Sequence, residues 1–223
     1  MTALLSTTYF GPVQWYQKLY RSDEVQIEQW ESFQKQTYRN RCLIAAPNGI
    51  QALTVPVEHN SQLIKDIRVS DHGNWRHLHW NALVTAYSES PFFEYYQDDI
   101  RPFYEQRWDY LLDFNEAIRA KMCELIDIQP KVSYSLEFRT ESLEFATAVP
   151  SDEGMAVTNY QLSTINSPLK DFRETIRPKH PAPDPDFTPG PYYQVWQQKH
   201  GFLPNLSILD LLFNMGPESI LYL

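Results

Sequence analysis

The sequence predicts an α/β fold: a mixed sheet with surrounding helices, whose C-terminal helix docks back on the body after a Pro-rich segment. The first observation behind this prediction is the order of elements at the start of the chain. An apolar, Thr-rich segment (2–10) ends at Gly11-Pro12, helical spacing follows at 13–22, and EVQIEQ at 24–29 alternates in polarity. A strand, a helix and a second strand in this order are typical of a βαβ unit.

The second observation is a pair of apolar runs separated by a turn. RCLIAA and IQALTVPV, within residues 41–57, are joined by Pro47-Asn48-Gly49. Asn-Gly between two apolar runs is the strongest short signal for a β-hairpin. KDIRVS (65–70) and the alternating KVSYSLEF (131–138) predict two further strands.

The third observation is helical spacing in the middle of the chain. It predicts one helix over 75–88 and two helices over 90–128, which divide near Pro102. Residues 139–168 have a mixed composition that favours no single element.

The last part of the chain predicts how the fold closes. Residues 177–191 contain six prolines and are expected to be extended. Helical stretches follow at 192–202 and 207–216, and the second is too apolar to be a free tail. We therefore expect the Pro-rich segment to wrap a single domain that spans residues 1–223.

Composition excludes several functions. The net charge of −9 makes nucleic acid and anionic membranes poor partners, unless a basic patch is locally segregated. With 7 glycines and no GxGxxG or GxxxxGK[ST] motif, a phosphate-binding glycine loop is not expected, and no cofactor is predicted. No run of eighteen apolar residues predicts a membrane span. Cys42 and Cys123 lie in apolar runs typical of buried, reduced thiols, and no signal peptide is evident, so we expect a cytoplasmic protein.

The stretch DHGNWRHLHWNAL (71–83) concentrates three histidines and two tryptophans. On a helix His77 points away from His79, so the two cannot chelate one ion, and no metal site is predicted. His79 belongs to an apolar stripe that faces the core, with Asn74 as the helix N-cap. Its imidazole is then either a satisfied core group or a general base at the mouth of a pocket. The stripe consists of Trp75, Leu78, His79, Ala82, Leu83, Ala86 and Tyr87.

A basic cluster stands out in FQKQTYRNRC (33–42). If this segment is extended, Lys35, Arg39 and Arg41 share one face and could hold a phosphate or carboxylate, with Asn40 nearby. The alternative is a solvated edge strand whose cations prevent aggregation.

Three glutamates lie close to this basic cluster in the sequence: Glu24, Glu28 and Glu31. They would form ion pairs with its cations, and exposed pairs of that kind contribute little to stability. Acid–base roles are the alternative, although nothing in their spacing requires them.

The terminal stretch NLSILDLLFNMG (205–216) predicts a helix with Ser207 as its N-cap and Asp210 in a capping box. Asp210 and Asn214 are four residues apart and share a face of this apolar helix. They either cap and pair, or line a cleft. No GxSxG elbow or Cys–His pairing supports covalent catalysis.

Several short motifs, in order along nearly the whole chain, resemble the WbqC-like family: TYFGP, F-Q-K, Y-R-N-R, LTVPV, W-x-x-x-H and LSILDLLFNMG. The resemblance implies a bacterial, single-domain protein of surface-polysaccharide (O-antigen-like) biosynthesis, and some members are labelled glycine or aminoacyl transferases to sugars. The sequence departs from the family at Thr7-Thr8, where Gln-Pro is usual, and at Trp30-Glu31-Ser32. The family motifs fall on Tyr9, Phe10, Pro12, Lys35, Asn40, Arg41, Pro56, Trp75, His79 and Asp210.

With the resemblance added, we expect an enzyme that transfers a small acyl or aminoacyl group, for example glycyl, to an amino sugar or nucleotide-sugar. His79 would be the base and Asp210 its partner group. The substrate would contact Tyr9, Lys35, Asn40, Arg41 and Asn214.

Two other functions stay open. One is nucleotidyl transfer, in which the first βαβ unit cradles a nucleotide. The other is a scaffold without enzymatic activity, in which the aromatic stretch 91–111 contacts a polysaccharide assembly complex. The sequence gives no oligomeric state.

Overall fold

A computed structural model describes residues 1–58, 61–137 and 168–223. Strand β1 (Thr2–Ser6), helix α1 (Val13–Arg21) and strand β2 (Glu24–Glu28) form the expected βαβ unit, with β1 and β2 parallel. Strand β1 ends at Ser6 and not at Phe10, because the chain turns there and Phe10 has a φ of 42°. Residues 7–10 are therefore a buried loop at the end of a strand.

Among the described residues, the main sheet has four parallel strands in the order β5-β2-β1-β6. Strand β5 (Val132–Tyr134) pairs with β2, and strand β6 (Leu169–Asp171) pairs with the other side of β1. Because all four strands run the same way, their C-terminal ends meet at one edge of the sheet, here called the carboxyl edge. In open α/β sheets this is the edge outside which ligands bind.

The predicted hairpin is confirmed. Strands β3 (Arg41–Ala46) and β4 (Gly49–Thr54) pair antiparallel around Pro47-Asn48, and Gly49 has a φ of 108°. The hairpin is a separate two-stranded sheet, so the parallel and antiparallel pairings of this α/β fold lie in different sheets.

The helices follow the predicted order. Residues 90–128 divide near Pro102 as predicted, because its ring is favourable at the first turn of a helix, but they form three helices and not two, since the chain breaks again at residues 106–110. The bounds are α2 Trp75–Tyr87, α3 Phe93–Ile100, α4 Pro102–Glu105, α5 Leu111–Leu125, α6 Gln197–His200 and α7 Ile208–Met215. Two 3₁₀ helices span Ile64–Asp66 and Gly216–Tyr222.

Three predicted elements differ in the structure. The predicted strand at 65–70 is a 3₁₀ turn followed by isolated bridges, from Val69 to Val57 and from Arg68 to Tyr110. The helix predicted at 192–202 is confined to the four residues of α6. The strand predicted at 131–138 is the three-residue β5, and residues 138–167, including most of the unassigned stretch, lie outside the described residues.

The C-terminal helix docks on the body as predicted. Residues Ile208–Asn214 of α7 are all buried, and Phe213 packs against Tyr87 and Phe93. The Pro-rich segment is fixed to helix α1 by a buried ion pair, in which Lys18 Nζ lies 2.7 Å from Asp184 Oδ2. In the described parts of the chain, no helix combines the length and the apolar character that crossing a bilayer requires.

Candidate functional site

The His79 centre is a buried hydrogen-bonded triad of His79, Tyr9 and Tyr104. The hydroxyl of Tyr9 lies 3.0 Å from His79 Nδ1 and 2.8 Å from the hydroxyl of Tyr104. Trp75 packs edge-on against the imidazole, and Phe114 packs against the Tyr9 ring. Tyr9 is completely buried and His79 is 7% exposed, so the triad forms part of the aromatic core.

Burial lowers the pKa of His79 to about 4, and a hydrogen bond with the backbone of Thr54 opposes this effect. The imidazole is therefore neutral at physiological pH. Neither of two cavities of the described residues, of about 330 and 340 Å³, is lined by His79. This arrangement is that of a satisfied core histidine, and its predicted role as a base stays a prediction.

The rest of the opening stretch follows the predicted helix with two corrections. Leu78 is 61% exposed, so the buried stripe of α2 is narrower than the spacing indicates. Asn74 stands at the N-cap position, but its left-handed backbone (φ 37°) gives no side-chain cap. His77 is exposed beside Asn81, and the described residues contain no group of three or more metal-ligating side chains.

The Asp210 centre joins the C-terminal helix to two other segments. Its fully buried carboxylate accepts hydrogen bonds from Tyr87 of α2, at 2.8 Å, and from Tyr192 and Gln194, each at 2.7 Å. The pKa of Asp210 is raised to about 6, because the effect of burial exceeds that of the three hydrogen bonds, which act to lower the pKa. The three donors make Asp210 an anchor for residues 192–194.

These contacts correct the predicted capping box. The hydroxyl of Ser207 caps α7 by accepting from the amide of Leu209, as predicted. The carboxylate of Asp210 bonds to the tyrosines and Gln194, not back to the start of the helix. The side chain of Asn214 also helps to hold the segment that follows Tyr192. Its amide nitrogen donates to the backbone carbonyl of Asp210, and its amide oxygen accepts from the backbone N–H of Val195.

The predicted basic face over residues 33–42 does not form, because residues 35–40 are turns and bends. Arg39 is buried, Lys35 is exposed, and Arg41 is half-buried and donates to Thr54 Oγ1. Asn40 binds the hairpin by donating to the carbonyl of Val55. The predicted binding residues Tyr9, Lys35, Asn40, Arg41 and Asn214 are therefore placed in separate environments.

The structure brings another set of charged groups together at the carboxyl edge. Arg39 binds Glu31 with two hydrogen bonds, of 2.7 Å and 2.5 Å, and also donates to the hydroxyl of Ser6, the last residue of β1. Ser6 in turn donates to Glu31. Both ionised side chains are almost completely buried, at 4% and 6% exposure.

Charged groups also follow the neighbouring strands. Glu28, the last residue of β2, is fully buried and accepts hydrogen bonds from Ser135 Oγ and from the amide of Trp30. Arg173 binds Asp171, the last residue of β6, and its guanidinium also lies 3.8 Å from Glu28. We call this set of side chains the edge network. It consists of Ser6, Glu28, Glu31, Arg39, Ser135, Asp171 and Arg173.

The loop after β1 adds two hydroxyl groups to this edge. Thr7 and Thr8 are 0% and 5% exposed, and neither Oγ1 atom has a hydrogen-bond partner. Buried polar groups without partners are uncommon in proteins and call for an explanation. Gly11 is required beside them, since a Cβ there would lie 2.4 Å from Thr8 Oγ1.

A cavity of about 340 Å³ lies between the loop that follows β2 and the segment that follows β6. We call it the cationic cavity, because four of its lining residues carry basic side chains. Its lining consists of Lys35, Gln36, Thr37, Arg177, Pro178, Lys179 and His180. Gln36 and His180 have left-handed backbones, with φ of 61° and 50°.

Sequence reasoning found Lys35 but missed its neighbours in the cavity. Arg177, Lys179 and His180 form the motif RPKH at the start of the Pro-rich segment, and that basic run in an acidic chain was the available signal. The edge network had a weaker signal, since its members come from five separate stretches of sequence.

Comparisons with known proteins agree with the resemblance carried by the motifs. The model of the WbqC-like protein family matches residues 7–222. The uncharacterized protein Rv1507c of Mycobacterium tuberculosis is 30% identical over 213 residues, which cover 90% of this chain and 87% of that protein. No solved structure matches the chain.

Proposed function

Because the chain belongs to the WbqC-like protein family, we propose that it is a transferase of surface-polysaccharide biosynthesis. In this proposal it moves a small acyl or aminoacyl group, for example glycyl, onto an amino sugar or nucleotide-sugar bound over the carboxyl edge. The observation that carries the proposal is the edge network, where ionised and hydroxyl side chains end three of the four parallel strands.

The residue types at this edge suit a sugar substrate. Carboxylates accept hydrogen bonds from sugar hydroxyls, and a guanidinium group can donate two hydrogen bonds at once to sugar oxygens. The hydroxyls of Ser6, Thr7 and Thr8 can both donate and accept hydrogen bonds. Arg39 and Glu31 bind each other, and both bind the hydroxyl of Ser6. The Ser6 hydroxyl therefore has one defined orientation.

The reaction joins the amine nitrogen of the sugar to the carbonyl carbon of an activated acyl donor. The nitrogen–carbon bond forms, the bond from that carbon to the leaving group breaks, and the amine gives one proton to a base. A general base works best when its pKa is near the working pH. The low pKa of His79 makes it a weak base, so its predicted role needs a direct test.

The scaffold alternative has less support from the geometry. The aromatic stretch 91–111 belongs mostly to the core, since Phe93, Tyr96, Phe103 and Tyr104 are buried. Tyr95 is an exception and is exposed. Nucleotidyl transfer would use the same edge, and the reaction products distinguish it from acyl transfer.

The experiment supplies UDP-glucosamine as acceptor and acetyl-CoA or glycyl-CoA as donor, and measures the amide product by mass spectrometry. We expect product from the parent and at least a tenfold lower rate from Ser6→Ala, because the hydroxyl held by Glu31 and Arg39 is lost. Ser133→Ala is the matched control, since that serine lies on β5 with an exposed side chain.

His79→Gln and Asp210→Asn complete the series. A folded His79→Gln variant without activity would support the base role, and an active one would leave His79 a structural residue. Failure to form any amide, or a parental rate in Ser6→Ala, would contradict the proposed site. Release of pyrophosphate with a nucleotidylated product would favour nucleotidyl transfer.

A further inference from the structure

We propose that the cationic cavity binds a phosphate group, so that of the two substrate classes above the enzyme takes the phosphate-bearing one, a nucleotide-sugar. This inference rests on the proposed function for its place in the reaction. The cavity itself rests on separate residues, because none of its lining belongs to the edge network.

Charge is the first reason. The chain carries a net charge of −9, yet the lining of this cavity contains three permanent cations, Lys35, Arg177 and Lys179, together with His180. Lys35 makes no ion pair with any described residue. Among the described residues, the single acidic side chain paired with a lining residue is Glu174, which binds Arg177. Like charges gathered around one cavity repel each other, and a bound anion removes that repulsion.

The partners of these cations are the second reason. The ammonium of Lys179 donates to the amide oxygen of Gln36 at 3.0 Å, and a guanidinium nitrogen of Arg177 lies 3.4 Å from the amide oxygen of Gln34. A neutral amide positions a cation without cancelling its charge. The loop after β2 therefore holds both cations from the Pro-rich segment in place. Lys179 keeps its full charge toward the cavity, whereas Arg177 shares its charge with Glu174.

Size and position are the third reason. A volume of about 340 Å³ lies near the lower limit of ligand pockets, which run from roughly 300 to 1,000 Å³. It suits the phosphate end of a substrate and not a whole nucleotide-sugar. Both walls of the cavity belong to segments that follow strands of the main sheet, β2 and β6. In this proposal a sugar attached to the bound phosphate extends from there toward the edge network.

Phosphate, and not carboxylate, is the anion that this lining favours. A carboxylate spreads one negative charge over two oxygens, whereas a phosphate ester or diphosphate offers more oxygens and more charge to several donors at once. Lys35, Arg177 and Lys179 approach from two segments of the chain, which matches a ligand with acceptors on several sides.

The experiment is isothermal titration of the purified protein with sodium pyrophosphate. We expect the double variant Lys35→Gln/Lys179→Gln to bind at least tenfold more weakly than the parent, since both ammonium groups are lost. Both lysines are exposed, so the variant should fold, and circular dichroism checks this. The matched control is Lys131→Gln/Arg107→Gln, which removes the same charge from exposed positions outside the cavity and should bind within twofold of the parent.

Competition experiments identify the source of the phosphate. Displacement of pyrophosphate by UDP-glucosamine and UDP, but not by uridine or glucosamine, supports a nucleotide-sugar. Displacement by glucosamine 6-phosphate alone supports a phosphate site that takes a sugar phosphate and overturns the choice of a nucleotide-sugar. No binding of pyrophosphate, or equal affinity in the double variant, overturns the phosphate site.

The two proposals can fail separately. Pyrophosphate binding needs no turnover, and Ser6→Ala should retain it. If pyrophosphate binds in the cavity but no acceptor gains an acyl group, the proposed reaction fails and the phosphate site stands. If acyl transfer occurs but the double variant binds and reacts like the parent, the phosphate site fails.

Discussion

The His79 centre and the edge network both bury polar side chains, but they do so in opposite ways. At the His79 centre the buried groups are neutral: two phenol hydroxyls and an imidazole bond to one another inside an aromatic shell. At the edge network the buried groups are ionised, and Arg39 and Glu31 meet with two hydrogen bonds beside a strand end.

The two centres differ in charge: the buried ion pair lies at the carboxyl edge of the sheet, whereas the three hydrogen-bonded groups of the His79 centre are neutral. A neutral triad costs little to bury once its hydrogen bonds are made, and it serves the stability of the core. Buried ion pairs are weak contributors to stability, because desolvation offsets most of their attraction. The contribution of the buried Arg39–Glu31 pair to stability therefore does not by itself account for its presence at the carboxyl edge, which agrees with the proposed substrate site there.

The largest effect should come from breaking the buried ion pair. Glu31→Ala leaves the Arg39 guanidinium buried without its carboxylate, and unpairing a buried charge costs about 3–5 kcal/mol of unfolding free energy. Urea unfolding measures the loss. Glu105→Ala is the control, since its pair with Arg101 is more than half exposed and such pairs contribute about 0–1 kcal/mol. Equal small losses in both variants would show that the edge pair is not desolvated.

The next effect depends on pH and concerns His79. Its pKa in the folded protein, about 4, lies below its ordinary value of 6.5, so the unfolded chain binds the proton first. Stability from this group is complete above pH 6.5 and is lost as the pH falls toward 4, by up to about 3 kcal/mol. His79→Gln lacks this loss, so its stability should approach that of the parent at low pH. A difference that is constant with pH would mean that His79 titrates normally.

The contribution of Asp210 to stability should depend on pH in the opposite direction to that of His79. Its pKa in the folded protein, about 6, lies above the ordinary value of 3.8, so the folded chain binds the proton first. The stability gained by protonation is complete below pH 4 and is lost as the pH rises through 6, again by at most about 3 kcal/mol. Relative to Asp210→Asn, the parent should therefore become more stable between pH 6 and pH 4. Thermal unfolding across this range measures the change, and a parallel course of the two proteins would contradict it.

The smallest effect on stability should come from the cationic cavity. Lys35→Gln removes one of several repelling charges at an exposed position, so the unfolding free energy should change by no more than about 0.5 kcal/mol. Any change should be a gain that shrinks when salt screens the repulsion. A clear loss of stability in urea unfolding would indicate that Lys35 has a structural role instead.

The sequence predicted the fold where one local rule decided the outcome. Two apolar runs joined by Asn48-Gly49 predicted the hairpin, and the apolar stretch of Ile208–Asn214 predicted that α7 is buried. The prediction was wrong where tertiary contacts decided the outcome, as in residues 65–70, where a 3₁₀ turn and two isolated bridges replace the predicted strand.

The candidate site was predicted less well, for a physical reason. The residues that stand out locally, His79 and Asp210, are buried in hydrogen-bonded positions that serve packing, although their catalytic roles stay untested. The edge network and the cationic cavity gather side chains from stretches more than a hundred residues apart, such as Lys35 and Arg177. Only the topology, which brings four strand ends to one edge, places them together.

The most direct test of this account is an amide NMR titration of the ¹⁵N-labelled protein with UDP-glucosamine. The account predicts chemical-shift changes in residues 6–8, 28–37 and 171–180, which follow β1, β2 and β6, with little change in α2 around His79. Changes concentrated around His79, or no changes at millimolar ligand, would contradict the assignment of the functional site to the carboxyl edge.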